Sequence, residues 1–314
     1  ITALFGYDKV LPMNTGVEAV ETAIKLARHW AYQVKKVEPN QAKIIVCKNN
    51  FHGRTTGVIS FSSDPAAYTD FGPYLPGFVH IPFNDLTALA DALQEPNVAG
   101  FLVEPIQGEA GVVVPDEGYL ATAKSLCAEA NVLFIADEIQ TGLGRTGRML
   151  ACDYEEVHPD ILILGKALSG GVMPVSAVLA GNEIMMTIKP GEHGSTFGGN
   201  PLACAVALAA LKVLQDESLA ENAAIVGNYF RAELAKLQSP HIKTIRGKGL
   251  LNAIVLSGSG KEMGWNLCTV LMENGLLAKP THGNKIRFAP PLTITKAQVD
   301  ECIKIIDQSL LSME

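Results

Sequence analysis

Three continuous apolar runs each stop at a polar residue. AGFLV runs into Glu104, NVLFIA runs into Asp137, and ILIL runs through Gly165 into Lys166. A strand that is apolar at every position has both faces covered, which marks a parallel strand buried between helix layers. Successive stops lie about thirty residues apart, room for the crossover that a parallel pair needs. The first interval carries a helical pattern over 118–129. The spacing therefore predicts an α/β fold with a mostly parallel central sheet. Open sheets of this kind bind ligands at the carboxyl ends of their strands, so Glu104, Asp137 and Lys166 are expected to face one crevice.

Lys166 is the most unusual of the three. Lysine is almost never fully buried unless it is paired or modified. A desolvated lysine gives up its proton more easily and becomes a nucleophile toward aldehydes. The competing expectation is a lysine that snorkels, with its stem on apolar surface and its head in water.

Along the chain, a helix is expected to open at 13–19 and run to about 35, followed by a strand at 42–47 and a polar turn at 49–54. Helix and strand signals then alternate to about Pro201, the doubly wound pattern. Helical stretches follow at 202–214 and 219–237. After Ser239 and Pro240 the texture changes to strands at 243–249 and 250–256, a helix at 265–273, short strands at 276–279 and 285–288, and a closing helix at 296–312. Two domains follow from this reading: a large α/β domain over 1–206 and a smaller α+β C-terminal domain over 207–314.

Composition narrows the function. With 314 residues, 48% of them hydrophobic, the chain can bury a large core. A net charge of −7 without a long basic run argues against nucleic acid as a partner. The longest apolar stretch, 202–211, is too short to span a bilayer, so no membrane partner is expected. The six cysteines form no CxxC pair and mostly sit in apolar contexts, which suggests buried free thiols in a reducing compartment. The seven histidines are scattered, and nothing points to a metal site.

Several local patterns suit an anionic, planar ligand. Thr15, Gly16 and Val17 lie at a helix start, where free N–H groups and the helix dipole favour an anion. A plain threonine cap is the alternative. The loop GSTFGG places Ser195 and Thr196 before Asn200 and Pro201, which open another helix; an ordinary glycine-rich turn competes. Phe51 sits in a polar turn beside His52 and Arg54. It can stack on a planar ring or plug the top of a core. Arg54 can hold a carboxylate in a bidentate fork, or simply face solvent. Arg287 lies between Ile286 and Phe288 and points to the face opposite both, where it is a carboxylate clamp or a solvent-facing strand residue. The spelling GLGRTG at 142–147 matches a dinucleotide fingerprint. The residues after it lack helical spacing, so a nicotinamide site is not expected there.

Taken together, MNTGVEAVETAIKLAR, NNFHGRT, VEPIQGEAGVVVP, LFIADEIQTGLGRTG, DILILGKALSGG, KPGEHGSTFGGNPL, RGKGLLNAIV and GLLAKPTHGNKIRFAPPL resemble the class III, pyridoxal-phosphate-dependent aminotransferases. These stretches run from about residue 11 to 293. The resemblance implies the fold type I architecture of such transferases, with pyridoxal 5'-phosphate in the large domain. It makes Lys166 the Schiff-base lysine and Asp137 the partner of the pyridinium nitrogen. Gln140 would bond the ring hydroxyl, Phe51 would stack on the ring, and Glu104 would support the site near Gln140. Thr15, Gly16, Val17 and Ser195 would lie at the phosphate. Thr196 would reach the phosphate of a neighbouring subunit, which implies a homodimer.

The last two stretches favour the members that act on ornithine with 2-oxoglutarate as acceptor; those acting on acetylornithine or 4-aminobutyrate are the alternatives. Arg287 would then take the α-carboxylate of glutamate and Arg54 its distal carboxylate, with Glu109 covering Arg287 while ornithine reacts. An intracellular location, cytoplasm or mitochondrial matrix, goes with this. The family members carry a longer N-terminal segment, which puts the activity of this stretch by itself in question. A catalytically silent dimeric scaffold is the reading from a different class; it has no need of the lysine, the acid and both arginines.

Overall fold

The computed structural model describes residues 1–258, 260 and 262–313. It divides into two compact units. The first comprises Ile1–Pro105, Pro115–Gln140 and Cys152–Lys212, and the second Ile106–Val114, Thr141–Ala151 and Val213–Glu314. The sequence reading drew a single boundary after 206; the first unit runs on to Lys212. Two excursions that follow strand ends of the first unit belong to the second. The reason is visible in the first excursion, where Ile106 and Val112 pack with Leu251 and Ala253.

The first unit is built on one sheet. Its strands are β1 (Lys9–Met13), β2 (Lys43–Cys47), β3 (Phe78–Ile81), β4 (Val98–Val103), β5 (Leu133–Asp137), β6 (Ile161–Leu164) and β7 (Ser176–Ala180), in the order β1-β7-β6-β5-β4-β2-β3. The run β3-β2-β4-β5-β6 is parallel, while β7 runs antiparallel to both β6 and β1. Strands β4, β5 and β6 are buried at every position, as their unbroken apolar runs require. β5 keeps Asp137 as its last residue, one position beyond the expected end.

The crossover from β4 to β5 carries the expected helix, Tyr119–Glu129. That from β5 to β6 has only a 3₁₀ turn, Ala151–Glu155, among the described residues. GLGRTG therefore opens no helix, and no dinucleotide fingerprint stands there.

Helix Gly16–Trp30 covers the sheet. Its Ala19, Val20, Ala23, Leu26 and Ala27 pack with Ile44, Val46, Leu102 and Ile135 in one core. Each aliphatic side chain of Leu or Ile size buried in this way contributes about 1.5–3 kcal/mol. The helix was expected to run evenly to about 35. Instead Ala31–Lys35 widens into a π turn, and Lys36 ends it in the left-handed region at φ 64°.

The second unit carries an antiparallel sheet of β8 (Ile242–Lys248), β9 (Leu251–Leu256), β10 (Lys279–Thr281) and β11 (Lys285–Phe288), in the order β10-β11-β9-β8. Helices Leu219–Lys236, Met263–Glu273 and Lys296–Leu311 supply its core with Phe230, Leu267 and Ile306, which meet Ile254 and Ile286 of the sheet. β10 was expected over 276–279 but starts at Lys279, because the preceding residues cap the helix. Gly275 turns left-handed at φ 94°, and Leu276 N–H donates to Leu271 O at 2.8 Å. In the β10–β11 hairpin Thr281 pairs with Lys285 and Lys279 with Arg287, around a turn in which His282 and Gly283 both take positive φ.

Candidate active site

The strand ends of the first unit gather several of the expected residues. Asp137 and His52 are both buried, and Asp137 Oδ2 lies 2.7 Å from His52 Nδ1. The other carboxylate oxygen, Oδ1, accepts Ile139 N–H at 3.1 Å. Burial pushes the His52 imidazole down, but the hydrogen bond to Asp137 and its charge outweigh that and hold His52 above its ordinary value. His52 Nε2 is buried and has no hydrogen-bond partner among the described residues. One strand over, buried Glu104 accepts Phe51 N–H at 2.8 Å on Oε1. Phe51 is 38% exposed, and the Arg54 guanidinium lies 5.6 Å from its ring centroid. The aromatic is thus a presented face and not a core plug.

Of the two expectations for Lys166, burial and a head in water, the structure meets the second. Leu164 and Gly165 before it are buried, but Lys166 itself is exposed. The chain leaves the sheet at Gly165 and enters a 3₁₀ turn in which Lys166 takes φ 48°. A left-handed backbone at a residue with a side chain is sparsely populated and recurs at functional sites. The strand thus ends one residue earlier than burial of the lysine would need. Gln140 is half-buried in the turn after β5.

The helix start at Thr15 is a full capping box. Thr15 Oγ1 accepts Glu18 N–H at 3.4 Å, and Glu18 Oε2 accepts the N–H groups of Asn14 and Thr15, both at 2.8 Å. Burial nudges the Glu18 carboxyl up, but these donors outweigh it and bring it below its usual value. Helix geometry leaves the N–H groups of Gly16 and Val17 without an intrahelical acceptor. A Cβ on Gly16 would stand 3.1 Å from the Ile139 side chain, so the helix start rests directly on that residue. Asn14 Nδ2 donates to Ser195 Oγ at 3.0 Å. Asn14, Val17, Thr55, Ser195 and Thr196 help line a cavity of about 590 Å³. The threonine cap is therefore present, and it closes on a cavity wall.

Arg287 belongs to the second unit, with Glu109. Arg287 Nη1 donates to Glu109 Oε1 at 2.6 Å, and Lys279 Nζ donates to Oε2 at 2.8 Å. Arg287 alternates with buried Ile286 and Phe288, as the strand period requires.

Three contributors were not singled out from the sequence. His52 was noted only as a neighbour of Phe51, because its partner Asp137 lies 85 residues away. Ile139 is the second. Its side chain packs against the positions a Cβ would take on both Gly16 and Gly165, and its N–H is tied to Asp137, so one residue touches three parts of the site. The two glycines that flank it were the available signal. Lys279, the third, lies 170 residues from Glu109.

Comparison with known proteins places this geometry. The family model described as aminotransferase class-III matches residues 1–310. The mitochondrial ornithine aminotransferase of Drosophila melanogaster is 61% identical over 313 residues, covering all of this chain and 72% of that protein. The crystal structure of the ornithine aminotransferase from Toxoplasma gondii ME49 superimposes with a TM-score of 0.97 at 53% identity, over 99% of this chain and 75% of that one. The acetylornithine aminotransferase from Elizabethkingia anophelis does so with a TM-score of 0.89 at 57% identity, over 99% and 76%. A match across nearly the whole chain, joined to a lysine, a buried acid and a presented aromatic at neighbouring strand ends, leaves one family: the chain belongs to the class-III aminotransferases.

Proposed function

We propose that the protein is an ornithine aminotransferase, moving the δ-amino group of L-ornithine to 2-oxoglutarate to give glutamate 5-semialdehyde and glutamate. The observation that carries this reading is the Glu109 carboxylate seated on Arg287 at 2.6 Å. An enzyme that takes a diamine with one carboxylate and then a dicarboxylate needs a second cation that is masked for one substrate and open for the other. A carboxylate parked on an arginine does that.

The residues present fit pyridoxal phosphate. Buried Asp137 suits a protonated ring nitrogen, and its hold on His52 and Ile139 N–H keeps it in one orientation. The N–H groups of Gly16 and Val17, with Thr15 and Ser195 nearby, suit the phosphate. Phe51, backed by Glu104, offers a ring to stack on, and Gln140 would bond the ring hydroxyl. When bound, the cofactor supplies an aldehyde that captures an amine and a pyridinium that takes up the electron pair left by C–H cleavage.

The rest is done by the chain. Lys166 Nζ would hold the aldehyde carbon and, once free, would take the proton from the substrate carbon and give it back on the far side of the transferred nitrogen. Asp137, fixed by His52 and Ile139 N–H, would face the ring nitrogen and accept its hydrogen bond. Arg287 takes the α-carboxylate of the acceptor once Glu109 moves off, and Arg54 takes the distal one. The first structural unit is, on this reading, the cofactor-binding domain.

The enzyme would work as a homodimer with Thr196 given in trans. The exposure of Phe197 and of Leu202 and Leu208 on the following helix supports a partner there. Among the described residues no helix is long and apolar enough to cross a membrane. Free cysteines and relatives named as mitochondrial support an intracellular place, matrix or cytoplasm.

A second reading, N-acetylornithine as donor, has the Elizabethkingia likeness behind it. That donor presents the same terminal amine and carboxylate but an amide where ornithine has an ammonium. The visible absorption of the protein loaded with pyridoxal phosphate decides. Ornithine should convert the band and 2-oxoglutarate should restore it. A band that only N-acetylornithine converts establishes the second reading, and a band that neither donor touches overturns both.

A further inference from the structure

Glu109 has two cations on it, and the second has no part in the exchange described above. Lys279 and Arg287 are direct cross-strand partners on β10 and β11. Like charges placed opposite each other on one face of a hairpin repel. Glu109 resolves the conflict by dividing its carboxylate, Oε1 to Arg287 at 2.6 Å and Oε2 to Lys279 at 2.8 Å. The two contacts differ in environment. Arg287 keeps 12% of its side-chain surface in solvent and Lys279 52%, so the Lys279 contact lies toward water.

The loop that carries Glu109 is pinned to the same sheet. Gln107 and Val113 exchange backbone hydrogen bonds at 3.1 and 3.0 Å, and Arg246 Nη1 donates to Gly111 O at 3.4 Å. The Lys285 stem occupies the place a Cβ on Gly111 would take. With its backbone held this firmly, any change of partner at Glu109 falls to its side chain. Nearby Arg145, whose guanidinium donates to Leu250 O and Pro290 O, is itself lowered to about 10, first by burial and then by the charge of Arg287. Three cations around one carboxylate leave a net attraction for an incoming carboxylate.

We propose that Lys279 is a positioning residue for the acceptor half of the reaction: it keeps hold of Glu109 when a substrate carboxylate takes over Arg287. Without it, Glu109 would have to leave Arg287 for water alone. Lys279 thus sets the balance between the donor and the dicarboxylate acceptor. This inference rests on the assignment of Arg287 as the carboxylate clamp.

The test is steady-state kinetics on the holoenzyme with Lys279→Met, Lys279→Arg, Arg287→Gln and the double variant Lys279→Met with Glu109→Gln. A half-exposed ion pair changes equilibria by a factor of a few, so Lys279→Met should raise the ratio of KM for 2-oxoglutarate to KM for ornithine about threefold. Lys279→Arg should restore the ratio. The effect should vanish when Glu109 is already Gln, because there is then no charge to hold. An unchanged ratio in Lys279→Met, or the same rise in the absence of the Glu109 carboxylate, overturns the proposal. The parent assignment is read separately. If Arg287→Gln leaves KM for 2-oxoglutarate unchanged, the clamp itself is misassigned; if only the lysine variants are silent, the clamp stands and Lys279 has no such role.

Discussion

Asp137 and Glu109 are both carboxylates held by basic side chains, yet they are built for opposite ends. Asp137 lies at the end of a strand buried at every position, and its partner His52 is buried with it. Each of its oxygens has a fixed donor. Removing one member of such a pair leaves an uncompensated group in a dry place, so the pair does not open in the folded state. Glu109 keeps 18% of its side-chain surface in solvent, between Arg287 at 12% and Lys279 at 52%. Charges near water exchange partners at little cost. A fold can thus hold one charge still and keep another movable by choosing how dry each is, with no difference in the side-chain type.

The largest effect expected from breaking this contrast is at Lys166. Lys166→Ala should lower turnover by at least about 10³-fold, the scale of a lost acid–base group, measured under saturating substrates. Near-normal turnover would remove Lys166 from its assigned role. Next comes the fixed pair. Asp137→Ala should cost about 3–5 kcal/mol in denaturant unfolding of the protein without cofactor, because His52 is left buried and alone. A loss under about 1 kcal/mol would mean that the site is wetter than its burial implies.

The movable pair should respond in selectivity and hardly in stability. Glu109→Ala should shift reactivity toward α-amino groups about tenfold, followed by comparing δ- and α-amine products from ornithine, on the scale of one charge-assisted hydrogen bond. An unchanged preference counts against the masking role.

The smallest effect is in pH. His52 is raised in the folded state, so its contribution is complete below its unfolded value of about 6.5 and fades as pH rises through the higher folded value. The gap in Tm between wild type and His52→Gln should therefore be widest near pH 6 and narrow at higher pH, by a few degrees at most. A gap that widens with pH would reverse the assignment.

How much of this could be read beforehand follows from the range of each signal. β4, β5 and β6 were legible because burial on both faces writes itself into consecutive residues. The threonine cap at Thr15 was equally local, though its closure by Glu18 came only with the structure. The exposure of Lys166 was legible only as one of two alternatives: the apolar run shows where the strand is buried but not which way the chain leaves it. The π turn at 31–35 leaves the apolar spacing almost intact, so a helical pattern does not show it. The pairs His52–Asp137 and Lys279–Glu109 join residues 85 and 170 apart, and no local pattern brings such partners together. The single boundary after 206 could not show the two excursions of the second unit, because the packing of the first on β9 and the backbone bond of the second to Leu250 are properties of the folded chain. The roles assigned to Gln140, Thr196 and Arg54 came from family resemblance, not from periodicity.

The hairpin that pairs Lys279 with Arg287 turns on three residues, 282–284. Along a strand, neighbouring side chains point to opposite faces, so one residue inserted or removed in that turn would invert everything beyond it. Arg287 would then face the side now occupied by Ile286. A length change in a surface turn usually counts as a mild event, tolerated because loops bear little load. In this turn it would be a change of diet: the protein could keep its fold and still lose its grip on the amino acceptor.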